Sequence, residues 1–188
     1  MTDKYVLSID PGKSSGISLV AYNDREIWLE DAWQFGGGTE ELVNWVEKYE
    51  VGPYDTLWFK HVRIERDTVI CEAFTARNTQ GFSYTTDSLE PLPAIGALIS
   101  LGLVDRSDKS RYRDPKYQYI VGGKDKADKK KRLHKFLKES GFYVAPSAVD
   151  SPNADDVRSS IGHALAYLQR EVKHRGVHDL VTKWIEEN

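Results

Sequence analysis

The alternation of apolar and polar positions predicts three consecutive strands at the start of the chain. Residues 5–9 and 16–22 are apolar runs of strand length. Asn23-Asp24 is typical of a hairpin turn, and a third strand is expected over 26–35. Simple alternation places four residues of this third strand on one face: Ile27, Leu29, Asp31 and Trp33. We therefore expect an antiparallel three-stranded meander.

Helical and extended segments follow the meander. Thr39 is the expected N-cap of a first helix, and further strands are expected over 68–74 and 117–121, the second after a charged loop over 106–115. The other predicted helices cover 88–103, the basic stretch after Gly122-Gly123, the segment after Pro152-Asn153, and 174–188. Segment 55–64 is compatible with an extra strand or with an insertion. The pattern predicts a single α/β domain over 1–188, in which helices flank a mixed sheet of about five strands: an antiparallel three-strand meander plus parallel strands.

Composition places the chain among ordinary globular proteins. Of its 188 residues, 40% are hydrophobic and 29% are charged, which is sufficient for a substantial core. No run of about 18 apolar residues is present, so no membrane span is expected. Cys71 is the only cysteine, which excludes an intramolecular disulfide. We expect a cytoplasmic protein, because a single cysteine fits a reducing compartment.

The distribution of charge is uneven. The formal net charge of −3 does not favour a generally basic nucleic-acid binder. Between Lys124 and Lys138, however, the sequence has eight Lys or Arg against two Asp. An acidic chain of this kind can still present one basic face to phosphates.

Carboxylates occur at three points where the predicted elements begin or end. Asp10 closes a buried strand, either as a ligand at its carboxyl edge or as the cap of a turn. Glu72 lies within an apolar strand, where a buried carboxylate requires a compensating cation or donors unless it faces solvent at a sheet edge. Asp155 and Asp156 lie in the first turn of a helix, which the helix dipole alone also favours.

Together these carboxylates suit hard divalent cations. Mg²⁺ prefers oxygen ligands, and two such ions about 4 Å apart can activate a water and stabilise a leaving oxygen. No His or Cys spacing suits zinc. Gly12-Lys13-Ser14 does not complete a P-loop, because position 7 is Leu rather than Gly.

Several segments, in order along the chain, resemble the motifs of the RuvC-type Holliday-junction resolvases of bacteriophages, members of the RNase H-like superfamily. In 8–16, an apolar strand leads into Asp-Pro-Gly and a further Gly. In 67–74, an apolar strand delivers Glu72. In 153–159, an Asp pair opens a helix that continues to His163-Ala164-Leu165. Segments 87–91 and 95–97 resemble a helix start of phage-type members.

The resemblance implies an RNase H-like fold and a Mg²⁺-dependent endonuclease that resolves four-way or other branched DNA. It also implies that the protein acts in a bacterium or in a phage-infected host cell. Asp10, Glu72 and Asp155 would then ligate two Mg²⁺ ions, for which Mn²⁺ is a possible substitute. Asp156 is the alternative or additional ligand; Asp155 is preferred because its spacing to His163 matches the family register. Glu65 is the rival of Glu72, in a more charged stretch. A homodimer is expected, because symmetric cleavage of a junction requires two active sites.

Residues expected to bind DNA are basic or aromatic: Lys13, Phe82, Tyr84, Lys124, Lys126, Lys129 and Lys130. The lysines would contact phosphates, and the aromatic rings would stack on unpaired bases. A charge run is also commonly only a solvated helix face. His163 either supports the site or is a buried histidine satisfied within the fold.

Other functions remain compatible with the sequence. An RNase H-like nuclease that acts on flaps or RNA-containing substrates would share the same carboxylates. An ATP-binding protein of the actin and sugar-kinase type would share the Asp-x-Gly motif but normally needs a longer chain. A non-catalytic DNA-binding relative would not need three carboxylate sites.

Overall fold

The computed structural model describes residues 3–48, 51–52, 56–59, 62–65, 68–74, 89, 91–149 and 153–188. The strands are β1 (Lys4–Asp10), β2 (Ser15–Tyr22), β3 (Ile27–Phe35), β4 (Val51–Gly52), β5 (Thr56–Phe59), β6 (Val62–Glu65), β7 (Val69–Glu72) and β8 (Tyr112–Arg113). The α-helices are α1 (Gly38–Glu47), α2 (Pro91–Ser100), α3 (Lys126–Glu139), α4 (Asp155–Arg170) and α5 (Arg175–Glu187). Short 3-10 helices cover Pro115–Gln118 and Pro146–Ala148.

The main sheet has five strands in the order β3-β2-β1-β7-β8. β1, β2 and β3 form an antiparallel meander, whereas β7 runs parallel to β1, and β8 runs parallel to β7. The expected mixed α/β sheet with flanking helices is therefore confirmed. A second antiparallel sheet, β4-β5-β6, contains the described residues of segment 55–64, whose assignment the sequence left open.

Alternation along β1 divides the protein into two cores. Val6 packs with α3, α4 and α5 on one side of the sheet, which we call the α4 face. Leu7 and Ile9 point to the opposite side, where α1, α2 and β6 pack. Since side chains alternate along a strand, Asp10 has the same orientation as Val6 and extends toward the α4 face.

A β-bulge changes the expected orientation of β3. Leu19 pairs with Asp31 and Val20 pairs with Leu29, so Glu30 is an extra residue in the ladder. Because of this extra residue, Ile27 and Leu29 pack into the core of the α4 face, whereas Trp33 packs into the opposite core. The single-face assignment for β3 is therefore wrong, since a bulge reverses the alternation that follows it.

The prediction of a strand over 117–121 is also wrong. A 3-10 helix occupies Pro115–Gln118, and the strand of this region is β8, inside the segment expected to be a charged loop. Asp114 is the N-cap of the 3-10 helix, its side chain accepts a hydrogen bond from the Lys116 N–H, and Pro115 follows at the first position. Both features favour a helical turn over a strand.

The cap of α1 differs from the expectation as well. The helix begins at Gly38, and its N-cap is Gly37 rather than Thr39. Gly37 has no side chain that could accept a capping hydrogen bond. Instead, the Glu41 carboxylate accepts a hydrogen bond from the Gly37 N–H at 2.7 Å. An acidic side chain one turn into the helix thus satisfies the N–H of the N-cap residue itself, as the acidic member of a capping box does.

The first turn of α4 packs directly on Gly16 of β2. A Cβ added at Gly16 would lie 2.1 Å from the Asp156 carbonyl carbon and 2.2 Å from the Val157 nitrogen. Only glycine permits this approach of the helix backbone to the sheet. The position of α4 therefore depends on the absence of a side chain at residue 16.

Among the helices within the described ranges, none is both long enough and apolar enough to cross a membrane.

We predict that Gly16→Ala destabilises the protein by about 3 kcal/mol or more, because the methyl group would collide with backbone rather than with a movable side chain. Gly96→Ala in α2 is the matched control, since a Cβ there meets nothing within 4 Å. In a helix interior this control should gain about 0.5–1 kcal/mol. Urea denaturation of both variants measures the difference, and equal stabilities would contradict the packing described.

Candidate metal centre and active site

The register of two parallel strands brings the first two carboxylates together. Ile9 of β1 pairs with Cys71 of β7, so Asp10 and Glu72 follow side by side at the carboxyl ends of these strands. Neighbouring strands are about 4.8 Å apart. Glu72 has the same orientation as Ile70, which packs in the core of the α4 face. Both carboxylates therefore lie at the carboxyl ends of these two inner strands, on the face of the sheet that α4 covers.

The third carboxylate comes from the first turn of α4. Asp10 pairs with Gly16 in the β1–β2 ladder, and the Asp156 backbone lies against Gly16. This contact places the helix start above Asp10. Ser159, one turn further along α4, hydrogen-bonds to Asp10, and Ser14 hydrogen-bonds to Asp156. Three separate elements thus deliver Asp10, Glu72 and Asp156 to one place.

The electrostatics of this group reflect its crowding. Burial, followed by the charges of Glu72 and Asp156, raises the pKa of Asp10 well above its ordinary value. Burial also raises the pKa of Asp156, and the charges of Asp155 and Glu72 add to that effect. Like charges held together in a partly buried place disfavour ionisation. A bound cation would relieve this repulsion.

Gln34 of β3 fixes the start of α4. Its side-chain Nε2 donates to the Asn153 carbonyl at 2.8 Å, and its Oε1 accepts from the Val157 N–H at 3.3 Å. Asn153 Oδ1 accepts from the Asp155 N–H at 3.1 Å. These bonds satisfy N–H groups that a helix start leaves without intrahelical partners. The edge strand therefore determines the position of the acidic first turn.

Glu72 is held by two side chains of the α4 side. His163 Nε2 lies 2.8 Å from Glu72 Oε2, and Gln118 Nε2 donates to the same oxygen at 3.4 Å. The expectation that Glu72 lies in a central strand is confirmed, because β7 lies between β1 and β8. The interpretation of His163 as a residue that supports the site agrees with this contact.

Asp155 extends into a different environment. Its carboxylate lies 2.7 Å from Lys130 Nζ, 3.4 Å from Arg158 and 3.4 Å from His134. Although burial acts to raise its pKa, the hydrogen bond and charge of Lys130, with His134 and Arg158, lower the pKa below its ordinary value. The geometry therefore favours Asp156 over Asp155 as the partner of Asp10 and Glu72, contrary to the preference drawn from spacing.

Glu65 does not share this place. It lies on β6 of the second sheet, its side chain is 50% exposed, and it forms an ion pair with Arg63 at 3.1 Å. The Glu72 side chain is 18% exposed and lies on the main sheet. The geometry favours Glu72.

The candidate DNA-binding residues lie in several environments. Lys13 is exposed in the turn after β1, Lys124 and Lys126 are exposed around the start of α3, and Lys129 is half-buried. Lys130 is exposed in part but bonded to Asp155. Phe82 and Tyr84 lie outside the described residues.

The donor set fits a hard divalent cation. Carboxylate oxygens are the ligands that Mg²⁺ prefers. Burial and neighbouring carboxylates raise the pKa values of Asp10 and Asp156 because they disfavour the charged forms, and a bound cation would offset that penalty. Within the described ranges, no three His, Cys, Asp or Glu side chains already form a group that could hold a metal ion.

Four supporting residues were missed by sequence reasoning: Ser14, Gln34, Gln118 and Ser159. Helical spacing of three residues from Asp156 was a usable signal for Ser159. The bulge in β3 concealed the orientation of Gln34, and the mistaken strand over 117–121 concealed that of Gln118.

No protein-family model and no curated protein matches the chain. A solved structure of RuvC from Thermus thermophilus is similar, with a TM-score of 0.47 and 13% identity over 89% of this chain and 96% of that chain.

We predict opposite effects of two neighbouring substitutions on the stability of the protein in a chelating buffer. The raised pKa of Asp156 means that its ionisation costs folding free energy as pH rises above about 4, so Asp156→Asn should stabilise the protein at pH 7. The lowered pKa of Asp155 means that its charge stabilises the fold above about pH 4, so Asp155→Asn should cost about 1 kcal/mol or less.

Urea denaturation at pH 7 and at about pH 3.5 measures both effects, which should shrink at the lower pH as the carboxylates become protonated. Each substitution removes one charge from the same helical turn, so the helix-dipole contribution is matched. Equal changes of the same sign would show that the two side chains do not occupy the different environments described.

Proposed function

We propose that this chain is a metal-dependent endonuclease of the RuvC type that cuts branched DNA, with four-way junctions as its substrate. The convergence of Asp10, Glu72 and Asp156 from two strands and a helix start carries the proposal. Carboxylates in this arrangement suit phosphodiester hydrolysis, which needs oxygen ligands for divalent cations. The resemblance of segments 8–16, 67–74 and 153–159 to resolvase motifs supports the same function.

The residues of the chain would supply placement rather than covalent chemistry. Asp10, Glu72 and Asp156 would hold two Mg²⁺ ions, which when bound supply the Lewis acidity for hydrolysis. Ser159 orients Asp10 and Ser14 orients Asp156 through hydrogen bonds to their carboxylates. With carboxylates acting as ligands, water is the attacking group in this proposal.

The basic helix α3 supports DNA as the substrate. Lys130 of α3 bonds to Asp155, which is adjacent to Asp156, so this helix borders the carboxylate group. Lys124 and Lys126 are exposed near its N-terminus. Lysines in such positions would contact phosphates without reading sequence, as recognition of a DNA shape requires. Lys13, beside Asp10, would approach a phosphate near the cleaved bond.

A homodimer belongs to the same proposal. Each chain contributes one group of carboxylates, and paired cuts across a four-way junction need two such groups related by symmetry.

We predict that Glu72→Gln and Asp156→Asn each reduce Mg²⁺-dependent cleavage of a synthetic four-way junction by at least about 100-fold. Residues that merely support a metal ligand already contribute about 10–100-fold, so removal of a ligand should cost no less. Glu65→Gln and Asp155→Asn are matched controls of the same chemistry outside the carboxylate group and should retain activity closer to wild type. Gel analysis of end-labelled strands measures the rates.

The same assay should include linear duplex, a flap and an RNA–DNA hybrid. Paired symmetric nicks in the junction are the expected result. Cleavage of the flap or hybrid alone would retain the nuclease and exclude the junction as substrate. A wild-type protein that cuts none of them with Mg²⁺ or Mn²⁺ would overturn the proposal and favour a DNA-binding or ATP-binding protein.

A further inference from the structure

A buried histidine contacts the carboxylate group from α4. His163 is seven residues after Asp156, which places both side chains on the same helix face. Its side chain is 1% exposed, and its Nε2 lies 2.8 Å from Glu72 Oε2. Contact with a carboxylate that is itself part of the site distinguishes His163 from an ordinary core residue.

The surroundings of the ring determine which nitrogen donates. The Nδ1 atom of His163 is buried and has no hydrogen-bond partner among the described residues. A proton on Nδ1 would leave a buried donor unsatisfied, which is costly. The Glu72 carboxylate accepts hydrogen bonds and cannot donate when ionised. We therefore assign the ring proton to Nε2, which donates it to Glu72.

A second donor reaches the same oxygen. Gln118 Nε2 donates to Glu72 Oε2 at 3.4 Å and to the Pro115 carbonyl at 3.0 Å. The Gln118 carbonyl packs so closely on Gly162 that an added Cβ there would lie 2.6 Å from it. The close packing of 115–118 on α4 thus brings Gln118 beside His163.

Both of these side-chain hydrogen bonds go to Oε2 of Glu72. Two donors on one oxygen fix the orientation of the carboxylate and leave its Oε1 for another partner. Glu72 lies beside Asp10 in the sheet register. An orientation fixed in this way reduces the rearrangement that ligand binding requires.

We propose that His163 is a positioning residue for Glu72, which holds one carboxylate oxygen so that the other can receive a divalent cation. This inference rests on the proposed function, because it assumes that Glu72 is a metal ligand. His163 touches neither substrate nor metal in this proposal and acts only through Glu72. Gln118 assists it from the 3-10 helix.

The test compares His163→Leu, which removes the donor, with His163→Gln, which retains an N–H donor on a flexible side chain. Mn²⁺ binding is measured directly by isothermal titration calorimetry, and stability is measured by urea denaturation in a chelating buffer. We expect His163→Leu to bind Mn²⁺ about 10–100-fold more weakly. His163→Gln should recover most of that loss. In cleavage assays, His163→Leu should need more Mg²⁺ for half-maximal rate while the KM for the junction stays near wild type.

A purely structural role would instead lower stability in both variants and leave Mn²⁺ affinity unchanged in the folded protein. Wild-type Mn²⁺ affinity in folded His163→Leu, with cleavage intact in the wild type, would overturn the positioning role and leave the proposed function standing. A wild-type chain that neither binds Mn²⁺ nor cuts DNA would overturn both.

If His163→Leu does not fold, Gln118→Met tests whether hydrogen bonds to Glu72 Oε2 position the carboxylate, since it removes the second donor to that oxygen. A loss of Mn²⁺ affinity of several-fold is expected for this variant. Unchanged affinity would show that hydrogen bonds to Glu72 Oε2 do not position the carboxylate.

Discussion

The close packing of the first turn of α4 on Gly16 is the constraint on which the rest of the site depends. Gly16 pairs with Asp10 across the β1–β2 ladder, so a helix that rests on Gly16 must begin above Asp10. Gln34 on the neighbouring strand then bonds to the backbone on both sides of the acidic turn. Because a backbone contact at Gly16, the hydrogen bonds of Gln34 and the buried apolar stripe of α4 all hold this position, the helix has little freedom to shift along the sheet. The order β3-β2-β1-β7 thus places Gln34, Gly16 and the two carboxylates of Asp10 and Glu72 on consecutive strands.

Two adjacent aspartates in this turn have opposite electrostatic roles. Successive residues of a helix project about 100° apart, which allows Asp156 to face the other carboxylates while Asp155 faces Lys130 and Arg158. Asp156 adds to a repulsion that the fold tolerates, as functional sites commonly do. Asp155 connects the basic helix α3 to the start of α4 and is stabilised by that contact. The first turn of α4 therefore contributes Asp156 to the carboxylate group and binds the basic helix α3 through Asp155. An acidic site beside a basic helix suits an enzyme that acts on a polyanion.

The sequence predicted those parts of the site that depend on local pattern. Asp10 and Glu72 could be identified because each interrupts or ends an apolar run, and a strand of that kind is buried on both faces. The start of α4 was identifiable from its Asp pair and apolar stripe. The choice between Asp155 and Asp156 was not, because it depends on which helix face meets the sheet. The roles of Gln34 and Gln118 depended on a β-bulge and on an Asp-Pro turn whose effects on orientation emerge only from long-range pairing.

We propose that Asp10, Glu72 and Asp156 together form one divalent-cation site. The most direct measurement is a crystal structure of the wild-type protein soaked with Mn²⁺, with anomalous difference maps to locate the metal. We predict anomalous peaks within bonding distance of all three carboxylates, about 2.0–2.6 Å from their oxygens, and none at Asp155. A peak at Asp155 instead, or three carboxylates that remain without metal at millimolar Mn²⁺, would contradict the proposed site.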